Sequence, residues 1–96
     1  MGAVDFYQVS KGTSAKDAFR KAVEEAEYEC GHGGYSGSIA EKGSFTMITV
    51  PENVKPWSYA EQLIFEGDPR VDDKWGPAGC IDLGDGKYLF FGIASS

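Results

Sequence analysis

A regular apolar stripe between residues 15 and 30 constrains the fold more than any other feature of the sequence. Its members recur at three- and four-residue spacing: Ala15, Ala18, Phe19, Ala22, Val23, Ala26 and Cys30. This spacing predicts one amphipathic helix. Ser14 and Asp17 resemble a capping box, which predicts the N-cap at Ser14, and Gly31 can end the helix. Because four of the seven residues are alanine, the helix should pack closely on whatever it covers.

The rest of the pattern predicts strands around a second helix. Strands are predicted at residues 3–10, 38–40, 44–50, 80–83 and 87–94, with hairpin turns at 41–43 and 84–86, and a helix at 57–66 after Pro56. The order β-α-β-β-α-β-β favours an α+β fold, a two-layer sandwich with both helices on one face of a mostly antiparallel sheet. A ferredoxin-like core with an added edge strand is the nearest named topology. Ninety-six residues correspond to a single domain, residues 1–96.

The overall composition excludes several classes of protein. A hydrophobic content of 42% argues against a disordered chain, and a net charge of −6 argues against direct binding to nucleic acid. Basic protein surfaces are more natural partners. Two cysteines, Cys30 and Cys80, allow at most one disulfide, which is typical of a reduced, cytoplasmic chain, although whether they pair stays open. No signal-peptide pattern or long apolar run is present, so no membrane association is predicted.

A glycine-rich stretch follows the first helix. Residues 31–43, GHGGYSGSIAEKG, hold five of the thirteen glycines and the single histidine. Glycine permits backbone conformations that other residues avoid, so Gly31, Gly33, Gly34 and Gly37 are predicted to shape a loop. Phosphate-binding loops precede a helix, whereas this one follows a helix C-terminus, whose partial negative charge disfavours anions. Binding of a small ligand or nucleotide through Gly31–Gly43 is therefore the alternative function, not the leading one.

The charges of the first helix are distributed unusually. Basic residues (Lys16, Arg20 and Lys21) occupy its first half and acidic residues (Glu24, Glu25, Glu27 and Glu29) its last turns. This order opposes the helix macrodipole. One interpretation is a solvated face without function. The sharper hypothesis is a partner-binding surface, here called the acidic surface, that engages a basic protein and consists of Glu24, Glu25, Tyr28, Glu29, His32 and Tyr35.

Residues 68–77 form a second acidic segment. Asp68, Asp72 and Asp73 could hold a divalent cation, but the spacing of an EF-hand and its glycine are missing, which favours a solvated loop. Trp75 is predicted to anchor this loop against the core, and the alternative is an exposed aromatic residue used for binding. A metal-assisted hydrolase that uses the loop is the weakest functional alternative.

Catalytic and zinc-binding motifs are weak. Cys30, His32 and Cys80 lack the paired spacing of structural zinc sites, and Cys30 fits better as a buried thiol. Ser36 lies near His32, but the strand-to-helix elbow of serine hydrolases is absent. The sequence therefore predicts a protein that is not an enzyme and carries no cofactor.

One resemblance rests on the helix and the loop together. Residues 18–28, AFRKAVEEAEY, and 31–42, GHGGYSGSIAEK, resemble small uncharacterised proteins of bacteriophages and bacterial mobile elements over about residues 13–45. The resemblance carries no named activity. It implies a phage or prokaryotic setting, and by analogy an inhibitor of host machinery, including defence complexes. The prediction is a phage-encoded, non-catalytic module in the bacterial cytoplasm that binds and modulates a host protein, with its oligomeric state open.

Overall fold

Two helices and four strands make up the computed structural model, which describes residues 3–30 and 38–95. In chain order they are β1 (Ala3–Lys11), α1 (Ala15–Cys30), a 3-10 turn (Ile39–Glu41), β2 (Phe45–Met47), α2 (Pro56–Glu66), β3 (Ala78–Gly84) and β4 (Lys87–Ser95). The α+β class is confirmed, and the order matches the prediction except at the 3-10 turn.

The strands form one sheet in the order β1-β4-β3-β2. The pairs β1–β4 and β3–β4 are antiparallel and β2–β3 is parallel, so the sheet is mostly antiparallel, as predicted. A ferredoxin-like sheet is built from split βαβ units, in which another strand separates the two parallel strands. Here β2 and β3, the strands on either side of α2, are direct neighbours, so the ferredoxin-like arrangement is not adopted.

The two helices pack on opposite faces of the sheet. One cluster joins α1 to Phe6, Cys80 and Phe90, and the other joins α2 to Ile81, Leu89 and Phe91, with Tyr7 at its margin. Successive side chains of a strand point to opposite faces. The expectation of a two-layer sandwich with both helices on one face is therefore wrong. Strand β4 carries large apolar side chains on both of its faces, and a helix buries each face.

The predicted hairpin over residues 38–50 is also different. Ser38 caps a 3-10 turn by accepting a hydrogen bond from the Ala40 amide at 3.2 Å, and the Lys42 amide donates to the Ile39 carbonyl at 2.9 Å. The Ile39 side chain is fully buried in the α1 cluster. Serine competes for local backbone bonds in this way, which diverts the chain from a strand ladder. Only β2 remains of the hairpin.

Local signals predict the start of α1 and both ends of α2 correctly, whereas Gly31, the predicted end signal of α1, lies outside the described residues. The Ser14 hydroxyl accepts from the Asp17 amide at 3.2 Å, which confirms Ser14 as the N-cap of α1. Pro56 opens α2, and Gly67 ends it in the left-handed conformation at φ 71°, which favours glycine. The hairpin turn predicted at residues 84–86 joins β3 to β4, and its Asp85 and Gly86 both have positive φ, as is typical of an Asp-Gly turn.

Candidate functional site

The described part of the acidic surface lies at the solvent side of α1. Tyr28 is 91% exposed, and Glu24 and Glu25 are exposed beside it. This exposure follows from the helical periodicity, since Tyr28 is opposite the alanine stripe. Glu29 continues the last turn of α1, but its side chain, the residues His32 and Tyr35, and the loop glycines Gly31, Gly33, Gly34 and Gly37 lie outside the described residues. Their roles stay predictions.

Ion pairs within the first half of α1 use its basic side chains. Arg20 contacts Asp17 and Glu24, each at 2.9 Å, and Lys21 contacts Asp17 at 3.3 Å. A hydrogen bond from the Thr13 amide, followed by those from Arg20 and Lys21, lowers the pKa of Asp17 to about 2. The carboxylate thus stays ionised and holds both cations, and Arg20 also pairs with Glu24, so the compensation reaches Glu24 but no acidic residue beyond it.

The last turns of α1 lack such compensation. No basic residue lies in the last turn, and across residues 3–30 and 38–95 neither Glu25 nor Glu27 has an ion-pair partner. Carboxylates at a helix C-terminus face the negative end of the macrodipole, which costs about 0.3–1 kcal/mol each. Their placement reduces the stability of the helix.

Reversing one of these charges should stabilise the protein. We expect Glu27→Lys to raise Tm by roughly 2–8 °C, because it removes an unfavourable charge at the helix end and adds a favourable one. Glu52→Lys, in an exposed loop outside any helix, makes the same change in net charge and is the control. Thermal melts followed by circular dichroism measure both variants. Equal Tm values for Glu27→Lys and the control would contradict the unfavourable charge interaction assigned to this turn.

A cavity of about 570 Å³ opens beside the acidic surface. Its apolar wall comes from Phe19 and Val23, and its rim includes Lys16, Arg20, Glu24 and Lys42. Glu24 therefore borders both the cavity and the acidic surface. The sequence did not reveal this cavity, because Phe19 and Val23 belong to the apolar stripe and were expected to be covered. Their half-buried state places an apolar recess next to charged groups.

Lys42 is buried at one end of this cavity, with 4% of its surface exposed. Its Nζ donates to the carbonyl oxygens of Asp73 and Lys74, each at 3.2 Å. These bonds tie the segment after the 3-10 turn to the acidic segment 68–77. No sequence pattern distinguished Lys42 from the surface lysines, because its burial depends on a contact about thirty residues away along the chain.

The acidic segment 68–77 is held by local bonds. The Arg70 guanidinium contacts Asp68 at 2.9 Å, and these bonds, with that from the Arg70 amide, lower the pKa of Asp68 to about 2. Trp75 is 65% exposed, so its prediction as the anchor is wrong, and Val71, 1% exposed, packs on the core instead. No group of three or more potential metal ligands occurs among the residues that the structure describes.

Cys80 is a free thiol within the core cluster under α1. Burial, with a smaller contribution from Asp82, raises its pKa to about 12. A thiol of such high pKa is a poor nucleophile and a poor metal ligand at neutral pH. The side chain of Cys30, and the residues His32 and Ser36, lie outside the described part of the chain, so the zinc and nucleophile hypotheses receive no further support.

Comparisons with protein-family models, with curated proteins and with solved structures found no match to this chain. Within the described ranges, neither helix combines the length and the apolar character needed to cross a membrane.

Proposed function

We propose that this chain is a non-catalytic, acidic interaction module that binds a basic surface of a host protein and inhibits it. The observation that carries the proposal is Tyr28, an aromatic side chain that is 91% exposed at the acidic end of α1. Tyrosine is enriched among the residues that dominate binding energy at interfaces. An aromatic ring among carboxylates suits lysine and arginine, since the ring face attracts cations and the carboxylates pair with them.

The cavity beside α1 supports the same interpretation. Glu24 stands between Tyr28, one turn away, and the recess formed by Phe19 and Val23. A partner that presents a basic residue next to an apolar one would contact both features together. Apolar contacts would supply most of the affinity, while the unpaired charge of Glu25 and Glu27 would mainly raise the association rate.

Affinity capture from host lysate, followed by mass spectrometry, identifies the partner, and the purified partner then allows titration. Tyr28→Ala and Glu24→Lys are each expected to weaken the complex by about tenfold or more, the loss typical of a central interface residue. The association rate should fall steeply as the salt concentration rises, because steering by exposed charges is screened. Inhibition of the partner's own activity should be lost in parallel.

The matched controls lie on α2, on the other side of the sheet. Phe65→Ala removes an aromatic ring that is 93% exposed, and Glu66→Lys reverses an exposed charge, so both controls should bind as the wild type does. All variants should retain a cooperative melt. Full binding by the Tyr28→Ala variant, or an equal loss in the α2 controls, would remove the acidic surface as the binding site.

A further inference from the structure

Strand β1 forms an edge of the sheet over its whole length. Its nine residues pair with β4 in an uninterrupted register from Ala3 to Lys11, and no described strand pairs with its other side. Neither a bulge nor a proline interrupts it, although natural proteins commonly protect edges with such features. The outer side of β1 therefore presents a regular row of backbone donors and acceptors.

A hydrogen bond just beyond the end of β1 shows which of its residues direct their backbone amides and carbonyls away from β4. The Gly12 amide donates to the Gly86 carbonyl at 2.9 Å, one step past the Lys11–Lys87 pair. Bonded and non-bonded pairs alternate along an antiparallel ladder. Even-numbered residues of β1 thus direct their amides and carbonyls to β4, and the odd-numbered residues direct theirs outward. The outward set is Ala3, Asp5, Tyr7, Val9 and Lys11.

We propose that two copies of this chain dimerise through β1, paired antiparallel about a two-fold axis at Gln8, to form one eight-stranded sheet. In this register Asp5 lies opposite Lys11 of the second copy, and Tyr7 lies opposite Val9. The charged pair occurs twice by symmetry, and opposite charges directly across a strand pair are stabilising. Within the described residues, Lys11 has no ion-pair partner in the single chain.

Helix α1 is self-complementary about the same axis. The Gln8 side chain donates to the Ala22 carbonyl at 3.3 Å, so the axis passes near the middle of the helix. Phe19 contacts Phe45 of β2. The flank of α1 that carries Phe19 therefore faces the β2 edge of the sheet. Helical periodicity places Lys21, which also contacts Asp17 at 3.3 Å, and Glu25 on the opposite flank of α1, toward β1. Two antiparallel copies of α1 would therefore place Lys21 of each across from Glu25 of the other.

The other face of the sheet supplies apolar surface to the same contact. Tyr7 stacks on Trp57 of α2, with ring centroids 5.5 Å apart. Trp57 and Val9 are each 45% exposed and adjoin Tyr7, which packs at the margin of the α2 core cluster. Pairing through β1 brings Val9 of one copy against Tyr7 of the other and covers this surface. The two proposals share Glu25. The inference does not rest on the proposed function, because Tyr28 and Glu24, which carry that function, are exposed on the solvent side of α1.

A charge exchange between two variants tests the register. The wild type should show a concentration-dependent mass approaching twice 10.4 kDa by sedimentation or light scattering at about 0.15 M salt, where repulsion between the two acidic chains is largely screened. Asp5→Lys places lysine at both positions of each charged pair and Lys11→Asp places aspartate at both, so each variant alone should dimerise about tenfold more weakly or worse. An equimolar mixture of the two should recover the dimer.

The controls make the same charge changes elsewhere. Asp72→Lys and Lys74→Asp change side chains of the segment 68–77, which leads into β3 and contacts Lys42 at the far side of the sheet from β1, and both should dimerise as the wild type does. Thermal melts check that every variant is folded. A wild type that stays monomeric at all accessible concentrations, single variants that remain dimeric, or a mixture that remains monomeric would each overturn the proposal.

Amide hydrogen exchange gives a second, independent readout. On dilution of the wild type, the outward amides of Asp5, Tyr7, Val9 and Lys11 should lose protection. The even-numbered amides of β1 should stay protected, because their bonds to β4 persist in the single chain. A mass that depends on concentration, without this alternation in amide protection along β1, would mean that dimers form through another surface, which contradicts the proposal.

Discussion

Replacing Phe90 by alanine is expected to remove about 3–5 kcal/mol from the free energy of unfolding. Phe90 is fully buried, and its ring centroid lies 5.6 Å from that of Phe19 on α1 and 5.8 Å from that of Phe45 on β2. One side chain thus joins the helix, the central strand β4 and the edge strand β2. The loss combines the transfer energy of the ring with the cavity left behind, since β-strand neighbours cannot collapse into the space.

Small domains have about 5–15 kcal/mol of stability in total, so this loss is a large fraction of it. The Phe90→Ala variant should therefore melt roughly 12–40 °C lower. Denaturation in urea, followed by circular dichroism, measures the change as a lower midpoint with the slope retained. Phe65→Ala removes the same ring from a site that is 93% exposed and should change stability by less than about 0.5 kcal/mol. A loss below about 1 kcal/mol at Phe90 would show that it does not join these elements.

The position of Phe90 also shows how far the sequence determined the fold. The α1 stripe and the β3–β4 hairpin were predictable because each depends on a local period and a local turn. The layer arrangement was not predicted, although a signal existed. Residues 88–94 read Tyr-Leu-Phe-Phe-Gly-Ile-Ala, apolar at both odd and even positions. Such a run is typical of a strand covered on both faces, which requires one helix on each side.

The short strand β2 was harder to place. Its three residues pair in parallel with β3, whose sequence lies about thirty positions away, and the partner of a parallel strand leaves no local turn signal. Without that partner, the strand formers between residues 44 and 50 were assigned to a nearby hairpin. Ser38 instead satisfies backbone groups locally and starts a 3-10 turn. A side-chain cap therefore prevailed over strand propensity in this segment.

For the candidate site, the sequence predicted which side chains are exposed on α1, but it did not predict the recess beside them. The solvent-facing position of Tyr28 followed from helical periodicity, and its exposure of 91% agrees. The recess at Phe19 and Val23 depends on how α1 lies beside Lys42, which no local pattern reports. The burial of Lys42 against the 68–77 segment has the same origin in long-range contacts. Features set by a single helix could be predicted from the sequence. Features that depend on contacts between distant segments could not.

Gly12→Ala is the second substitution with a large expected effect, a loss of about 1–3 kcal/mol or more. Gly12 lies between β1 and α1, where an added Cβ atom would stand 2.5 Å from the backbone nitrogen of Ala18 and 2.9 Å from its Cα. Real Cβ atoms do not approach backbone atoms so closely. Because Gly12 does not have a positive φ, the effect is steric and not conformational.

The first turn of α1 cannot move away without losing its cap. The Ala18 amide donates to the Ser14 carbonyl at 2.9 Å, and the Thr13 amide donates to the Asp17 carboxylate at 3.0 Å. Gly12 itself is fixed by its bond to Gly86. A larger residue must therefore break one of these bonds or tilt α1. Amide exchange should show which occurs, as lost protection at Ala18 or at Gly12.

Gly43→Ala is the matched control, and its expected effect has the opposite sign. Nothing lies within 4 Å of a Cβ built at Gly43, and its φ is not positive, so alanine should fit without strain. By reducing the freedom of the unfolded chain, it should stabilise by about 0.4–1 kcal/mol. Urea titrations of the two variants should thus move the midpoint in opposite directions. Equal shifts would mean that Gly12 is not the close contact that sets α1, with its acidic surface, against the end of β1.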